Sequence, residues 1–380
     1  MKIRVIHIIT GLLVLFSPLS YAEVEISGYA SFSGTIASAK DLTGTKDSGV
    51  VYNNGLANKN ANFNNDDNLI GLQISAPVSD KIDMTLVLQA NGGTSNYNVE
   101  AQWGYATYKF NDELSLRIGK YKGSFYMVSD YKDVGYAYPW VRPPLEVYST
   151  NPIEALNGLD LVYQTNVGNM TLLTELYVGS GTHSATMLPG TIDGWATYLF
   201  PGTAPPIGTP VSFETPNSKG LNVSLSGDIG TVRLGYYTTD VNAASFGVAD
   251  KEGSFLGFGF NIDWNNVVVY SEYVQRDTAP GALAFAFPDQ DAYYVTLGYR
   301  MGKYLPYLTV ADLAKGKDVS PVAQEQSSVA LGLRYEVSDT SVLKFEVLKV
   351  TPEDSGSSYG LFDSPTKEGT VATVKFDVIF

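Results

Sequence analysis

The stretch EGTVATVKFDVIF, residues 368–380, alternates with a period of two. Ala372, Val374, Phe376, Val378 and Phe380 fall on one face, and Thr373, Lys375, Asp377 and Ile379 on the other. Such alternation marks a strand, because successive side chains point to opposite sides of a sheet. One face suits lipid and the other suits water. A soluble sandwich would set the same apolar face against a second sheet, so this strand alone does not choose between the two.

Working outward, the same pattern defines sixteen candidate strands, over residues 25–38, 68–77, 82–91, 99–110, 114–120, 158–166, 170–179, 219–228, 231–241, 253–264, 267–276, 291–301, 304–314, 327–337, 341–350 and 368–380. Their joins alternate between Ser/Asn/Asp/Gly turns of two to four residues, the chemistry of tight hairpins, and longer segments. Short turns on one rim and long loops on the other are the pattern of a transmembrane antiparallel β-barrel. The alternation also sorts side chains. Leu256, Phe258, Phe260 and Ile262, Val295 and Leu297, and Val329, Leu331 and Leu333 take the outer face. The opposite parity holds Arg117, Asp160, Arg233, Asp263, Arg300, Arg334, Glu336, Lys344, Glu346, Lys375 and Asp377. Unpaired charges are costly in a sandwich core, so a wet interior is expected. Tyr293-Tyr294, Tyr304 and Tyr236-Tyr237 lie near strand ends, as in an aromatic girdle.

The chain begins with Lys2 and Arg4, an apolar run over residues 3–15, and Ser20-Tyr21-Ala22. This order reads as a signal peptide cleaved after Ala22. The run is shorter than the ~20 residues of a spanning helix. Residues 23–380 then form one barrel domain with 23 basic against 39 acidic residues, a net charge of −16, which argues against nucleic acid as a partner. With no cysteine, disulfides and thiolate sites are absent.

Between two strand-like runs lies YKGSFYMVSDYKDVGYAYPWVRPPLEVYSTNPIEALN, residues 121–157. A loop of that length inside a compact domain is functional or a mistaken assignment. In a closed wall its protected route is inward, so it is expected to narrow a pore. Tyr126, Tyr131, Tyr136, Tyr138 and Trp140 either pin it to the wall or stack a solute, while Pro139, Pro143 and Pro144 stiffen it. Asp66 and Asp67 with the neighbouring asparagines read as a solvated loop, since no defined ligand spacing supports calcium.

The signal peptide, the opening strand EISGYASFSGTIAS (25–38), the strand LSLRIGKYK (114–122) ahead of a long third loop, and the terminal Phe380 together resemble the general bacterial porins of the Gram-negative outer membrane. DVGYAYPWVRPP (133–144) looks like the loop of a group of porin-like proteins. The resemblance implies a homotrimer of sixteen-stranded barrels in outer-membrane lipid and lipopolysaccharide. It also implies assembly by the barrel-assembly machinery through the strand ending in Phe380, and a third loop folded into the lumen. In that family loop acids oppose a ladder of wall bases. Asp130, Asp133 and Glu146 are the loop candidates, and Arg117, Arg233, Arg300, Arg334, Lys344 and Lys375 the wall candidates. This chain departs from the family by lacking the PEFGG-type loop motif and by placing Lys122, Lys132 and Arg142 in the loop.

The sign of selectivity is left open. Inward bases slightly outnumber inward acids, which leans toward anions near the loop, whereas the net charge points the other way. Distant charges are damped over ~8 Å at physiological salt. Of two histidines, His7 leaves with the signal peptide and His183 lies in an expected loop over residues 183–217, so a histidine base has little to pair with. No phosphate-binding or dinucleotide motif stands in strand-to-helix context. The expectation is a water-filled channel for passive diffusion of small hydrophilic solutes and ions, with no cofactor and no enzymatic activity. A channel selective for small organic anions, and a barrel enzyme or adhesin without an open pore, remain as alternatives.

Overall fold

The computed structural model describes residues 24–380 apart from 48, 54, 187–209, 282–286, 318–322 and 354–358. The expected signal peptide, 1–22, lies outside the described residues. Sixteen long strands form the wall: β1 (Glu25–Lys40), β2 (Leu69–Ser79), β3 (Ile82–Asn91), β4 (Val99–Lys109), β5 (Leu114–Lys122), β6 (Ala155–Val167), β7 (Met170–Thr186), β8 (Pro210–Gly227), β9 (Gly230–Ala243), β10 (Val248–Trp264), β11 (Val267–Thr278), β12 (Gln290–Tyr299), β13 (Tyr304–Lys315), β14 (Gln326–Ser338), β15 (Ser341–Pro352) and β16 (Glu368–Ile379). Each pairs antiparallel with its neighbour in sequence. β16 returns to β1 in register from Tyr29 opposite Ile379 to Lys40 opposite Glu368, so the sheet closes and leaves no free edge. Among the described residues no helix is long and apolar enough to cross a membrane.

Alternation sorts the faces as expected. Leu297, Leu331 and Val347 are more than half exposed on the outside, while Asp160, Arg233, Glu272, Lys344 and Asp377 are buried within. Short turns gather on one rim. The β10–β11 turn places Asn265 and Asn266 at φ 48° and 70°, the left-handed pair a two-residue hairpin of matching twist requires.

Three expectations change. Strands on the long-loop side outrun the length of a bilayer crossing. β7 and β8 stay paired from Thr171 opposite Ser226 to Thr186 opposite Pro210, so His183 and both flanks of that expected loop are strand, and its middle, 187–209, lies outside the described residues. Likewise β9 and β10 meet across a short 3₁₀ turn, Ala244–Phe246, where a join of about a dozen residues was expected. Backbone ladders satisfy their own donors and acceptors beyond the membrane as well as within it, so bilayer thickness sets no upper limit on strand length. Finally, the Tyr-Tyr pairs are split by the pleat. Tyr236 and Tyr293 are about half exposed outside, whereas Tyr237 and Tyr294 are buried inside.

The segment 41–68 also folds inward. Thr35 and Asn62 exchange backbone hydrogen bonds of 3.0 and 2.7 Å, and Tyr52 packs on Phe362 with ring centroids 4.8 Å apart. This segment takes the upper edge of β1, since β1 and β2 pair only between Glu25–Ser75 and Ser31–Leu69.

Candidate functional site

The third loop proper runs from 123 to 154, shorter than the 121–157 expected, because β5 extends to Lys122 and β6 begins at Ala155. It contains 3₁₀ turns at Ser129–Tyr131 and Gly135–Ala137 and one helical turn, Leu145–Tyr148. Most of its bonds run to inward-facing side chains of β7 to β16, with Lys122 of β5 and Asp67 as further partners, so it lies inside the barrel mainly against that part of the wall.

Three groups of bonds fasten it. In the first arm, Glu175 of β7 accepts from Ser124 Oγ (2.9 Å) and Asn222 Nδ2 (2.6 Å). Arg233 donates to the Tyr126 and Met127 carbonyls. Glu272 accepts from the Met127 amide (2.8 Å) and the Tyr148 hydroxyl (2.9 Å). In the second arm, Lys344 Nζ donates to the Gly135 (2.5 Å) and Trp140 (2.8 Å) carbonyls and pairs with Asp377 at 2.9 Å. Arg334 donates to the Tyr136 carbonyl, and the Trp140 indole N–H donates to Thr296 Oγ1 at 2.8 Å. In the third, Arg142 pairs with Asp67 at 2.6 Å and donates to Thr373. Glu146 accepts from Gln326 Nε2 at 2.6 Å. Gln326 also donates to the Tyr52 hydroxyl and accepts from the Leu361 amide, so it joins three loops. Buried amides and charges without such partners would each cost kilocalories, and these bonds hold the loop in one place.

The loop aromatics Tyr126, Tyr138 and Trp140 are buried. Tyr126 stacks on Tyr148 at 4.5 Å, and Trp140 meets Tyr270 and Tyr294 edge-on. They pin the loop. The expected solvated character of Asp67 is corrected by its ion pair with Arg142, and among the described residues no group of three or more acidic or histidine side chains is placed to hold a metal.

The wall bases are therefore divided. Arg233, Arg334 and Lys344 lie under the loop, with Lys375 next to Asp377 at 3.6 Å. Arg300 stands away from the loop, paired with Asp263 at 2.5 Å. Arg117 faces open space. It is bound by Asp160 (3.1 Å) and Glu175 (3.3 Å) and lies over the Tyr105 ring. At the loop's inner margin Lys122 pairs with Asp133 at 2.7 Å and sits 4.7 Å from the centre of the Trp103 ring. Lys132 pairs with Glu154 at 2.5 Å. Burial opposes the Asp133 charge, but Lys122 and then Lys132 outweigh it and hold the carboxyl below its ordinary value. Lys132 holds Glu154 low in the same way. Burial pushes the Glu146 carboxyl up. Asp130 is exposed while its neighbours 123–129 are all buried, and it has no ion pair among the described residues.

Across from the loop, a cavity of about 370 Å³ separates Asp130, Asp133 and Val134 from Tyr29, Gln73 and Trp103. A second space of about 980 Å³ opens between β1–β6 at the short-turn rim and reaches Tyr105 and Arg117. Tyr29, Gln73 and Trp103 were missed from the sequence, although period two places each on the inward parity of its strand. Glu175 and Glu272 were readable in the same way.

No protein-family model matches the chain, and no curated protein sequence matches it. Solved structures do. The anion-selective porin from Comamonas acidovorans aligns over 94% of this chain and 100% of its own, with a TM-score of 0.57 at 13% identity. The outer membrane channel DcaP of Acinetobacter baumannii aligns over 94% and 97%, with a TM-score of 0.57 at 12% identity. OmpT, an outer membrane protein of Vibrio cholerae also solved in a trimer form, aligns over 94% and 97%, with a TM-score of 0.55 at 12% identity. The chain has the sixteen-stranded porin fold. One expectation is corrected: no enzymatic activity was expected from the sequence, but the fold neighbours include OmpT alongside channels, and a shared barrel excludes no chemistry. His183, whose Nε2 lies 2.9 Å from Thr215 Oγ1, is placed in a strand and not in a loop.

Proposed function

We propose that the chain is an outer-membrane channel through which small hydrophilic solutes and ions diffuse passively, with the third loop as its eyelet. The observation that carries this is the loop's one-sided docking. Bonds from β7 to β16 draw it against that part of the wall, and the space beside β1–β6 stays open. A barrel wholly filled by its loop would transport nothing. Polar groups on both sides of the gap suit water and small polar solutes better than bulky apolar ones.

In the same reading, residues 1–22 direct export and are removed, and 23–380 form the barrel. Arg117, Lys122, Asp130 and Asp133 border the passage. Lys132, Arg142, Glu146, Arg233, Arg334, Lys344 and Lys375 position the eyelet, and Arg300 braces the wall away from it. The exposed apolar band takes lipid and lipopolysaccharide. Three copies assemble side by side, and the terminal strand addresses the chain to the assembly machinery. Phe380 exchanges backbone bonds of 2.7 and 3.0 Å with Gly28, which seals the barrel at the point such machinery would read.

The test is reconstitution of residues 23–380 in a planar bilayer. Stepwise, ohmic conductance and swelling of vesicles loaded against small sugars are expected. A folded, heat-modifiable barrel that passes neither ions nor sugars would overturn the reading.

A further inference from the structure

Of the bases that alternation assigns to the lumen, Arg117 faces open space within an ion pair, and three others are taken up by the loop. Arg233, Arg334 and Lys344 spend their donors on loop carbonyls, and Arg142 is held by Asp67 and Thr373. Opposite the loop, where a ladder of bases would complete a transverse field, stand Tyr29, Gln73 and Trp103, none of which carries charge at neutral pH. The loop side of the same gap presents Asp130 and Asp133. In the wider space below, Lys109 is taken by Asp83 at 2.5 Å and Arg117 by Asp160 and Glu175. That leaves Glu25, Asp80, Asp112 and Glu113 against Lys81.

Resting on the channel reading above, we infer that the passage carries a field of one sign, that it prefers cations, and that Asp130 is the residue setting the preference. Asp133 shares its charge with Lys122, whereas Asp130 is exposed and has no ion pair among the described residues. Aspartate and glutamate rings favour cations. A gap of this size is comparable with the ~8 Å over which salt damps a charge, so a permeating ion crosses the field of Asp130 while it is only partly damped. The fold is shared with an anion-selective porin, and at this identity the fold does not carry the sign.

The experiment is the reversal potential of the bilayer-reconstituted chain, 23–380, in a potassium chloride gradient. Its variants are Asp130→Asn, Asp130→Lys and Asp250→Asn, the last removing the same charge from an exposed site on the far rim. The parent is expected to pass potassium over chloride by about threefold or more, Asp130→Asn to lower that ratio by about half, and Asp130→Lys to bring it to about one. Asp250→Asn should leave it unchanged. A parent ratio at or below one overturns the inference. So does an Asp250→Asn effect equal to that of Asp130→Asn, because overall charge would then set the preference. Current with the wrong sign defeats this inference alone, whereas absence of current from folded protein defeats the channel reading beneath it.

Discussion

Lys344 has no exposed surface, and every donor of its ammonium is used. It reaches Asp377 at 2.9 Å and two loop carbonyls, and it lies 4.6 Å from the centre of the Tyr138 ring. Taking an ammonium out of water is costly, and good geometry with hydrogen bonds is what repays it. Here the return is position, since the bonds fix residues 135–140 against β15. Replacing Lys344 by Met removes them and leaves Asp377 to Lys375 at 3.6 Å and the Ser31 hydroxyl. The expected cost is about 1–3 kcal/mol, from the two buried loop carbonyls left without a donor, felt first as release of the loop and not as unfolding of the barrel. Limited trypsin digestion of folded protein should then cut after Lys132, which the parent protects, and single-channel current should become noisy. Unchanged protection in Lys344→Met would mean that the aromatic contacts alone hold the loop.

At the scale of the strand, small residues decide where large ones lie. A Cβ built on Gly71 in β2 would fall 2.1 Å from Cζ of Tyr29, so the glycine makes the shelf on which that ring lies flat, with its hydroxyl donating to Gln89 at 2.7 Å. Gly71→Val is expected to lift the ring into the gap beside Asp133 and lower single-channel conductance. Tyr29→Ala in the same chain should recover it. If the double variant conducts no better than the single, the strand itself has been distorted.

Much of this scale was legible before folding was known. Period two gave the wall, the faces and the inward parity of Arg117, Arg233 and Lys344, because it follows from the pleat. It did not give the partner of each inward group. Which part of the wall receives the loop depends on contacts such as Trp140 with Thr296 and Met127 with Glu272, pairs more than a hundred positions apart. The bases consequently read as a ladder facing solute. The inward fold of residues 41–68 was hidden for the same reason, since Tyr52 finds Phe362 only in the closed barrel.

For the whole molecule, the hold of the barrel on its loop is tied to pH through the loop's own carboxyls. Asp133 and Glu154 are held below their ordinary values, by Lys122 in one case and Lys132 in the other. A carboxyl depressed on folding stabilises fully above its unfolded value, ~4, and the contribution disappears as pH falls through the depressed value. Glu146 has the opposite sign. Burial raises it, so its contribution is complete below its ordinary value and fades as pH rises through the raised one. Acid should accordingly loosen the middle of the loop while tightening its third arm. The chain has no cysteine, so a spin label on Ala137→Cys, an exposed loop position, reports the middle alone. Its mobility is expected to rise below about pH 4. In Lys132→Gln with Glu154→Gln that rise should shrink, because one of the two acid-sensitive pairs is already gone. Mobility that stays flat to pH 3 in the parent would show that the buried aromatics hold the loop without these pairs.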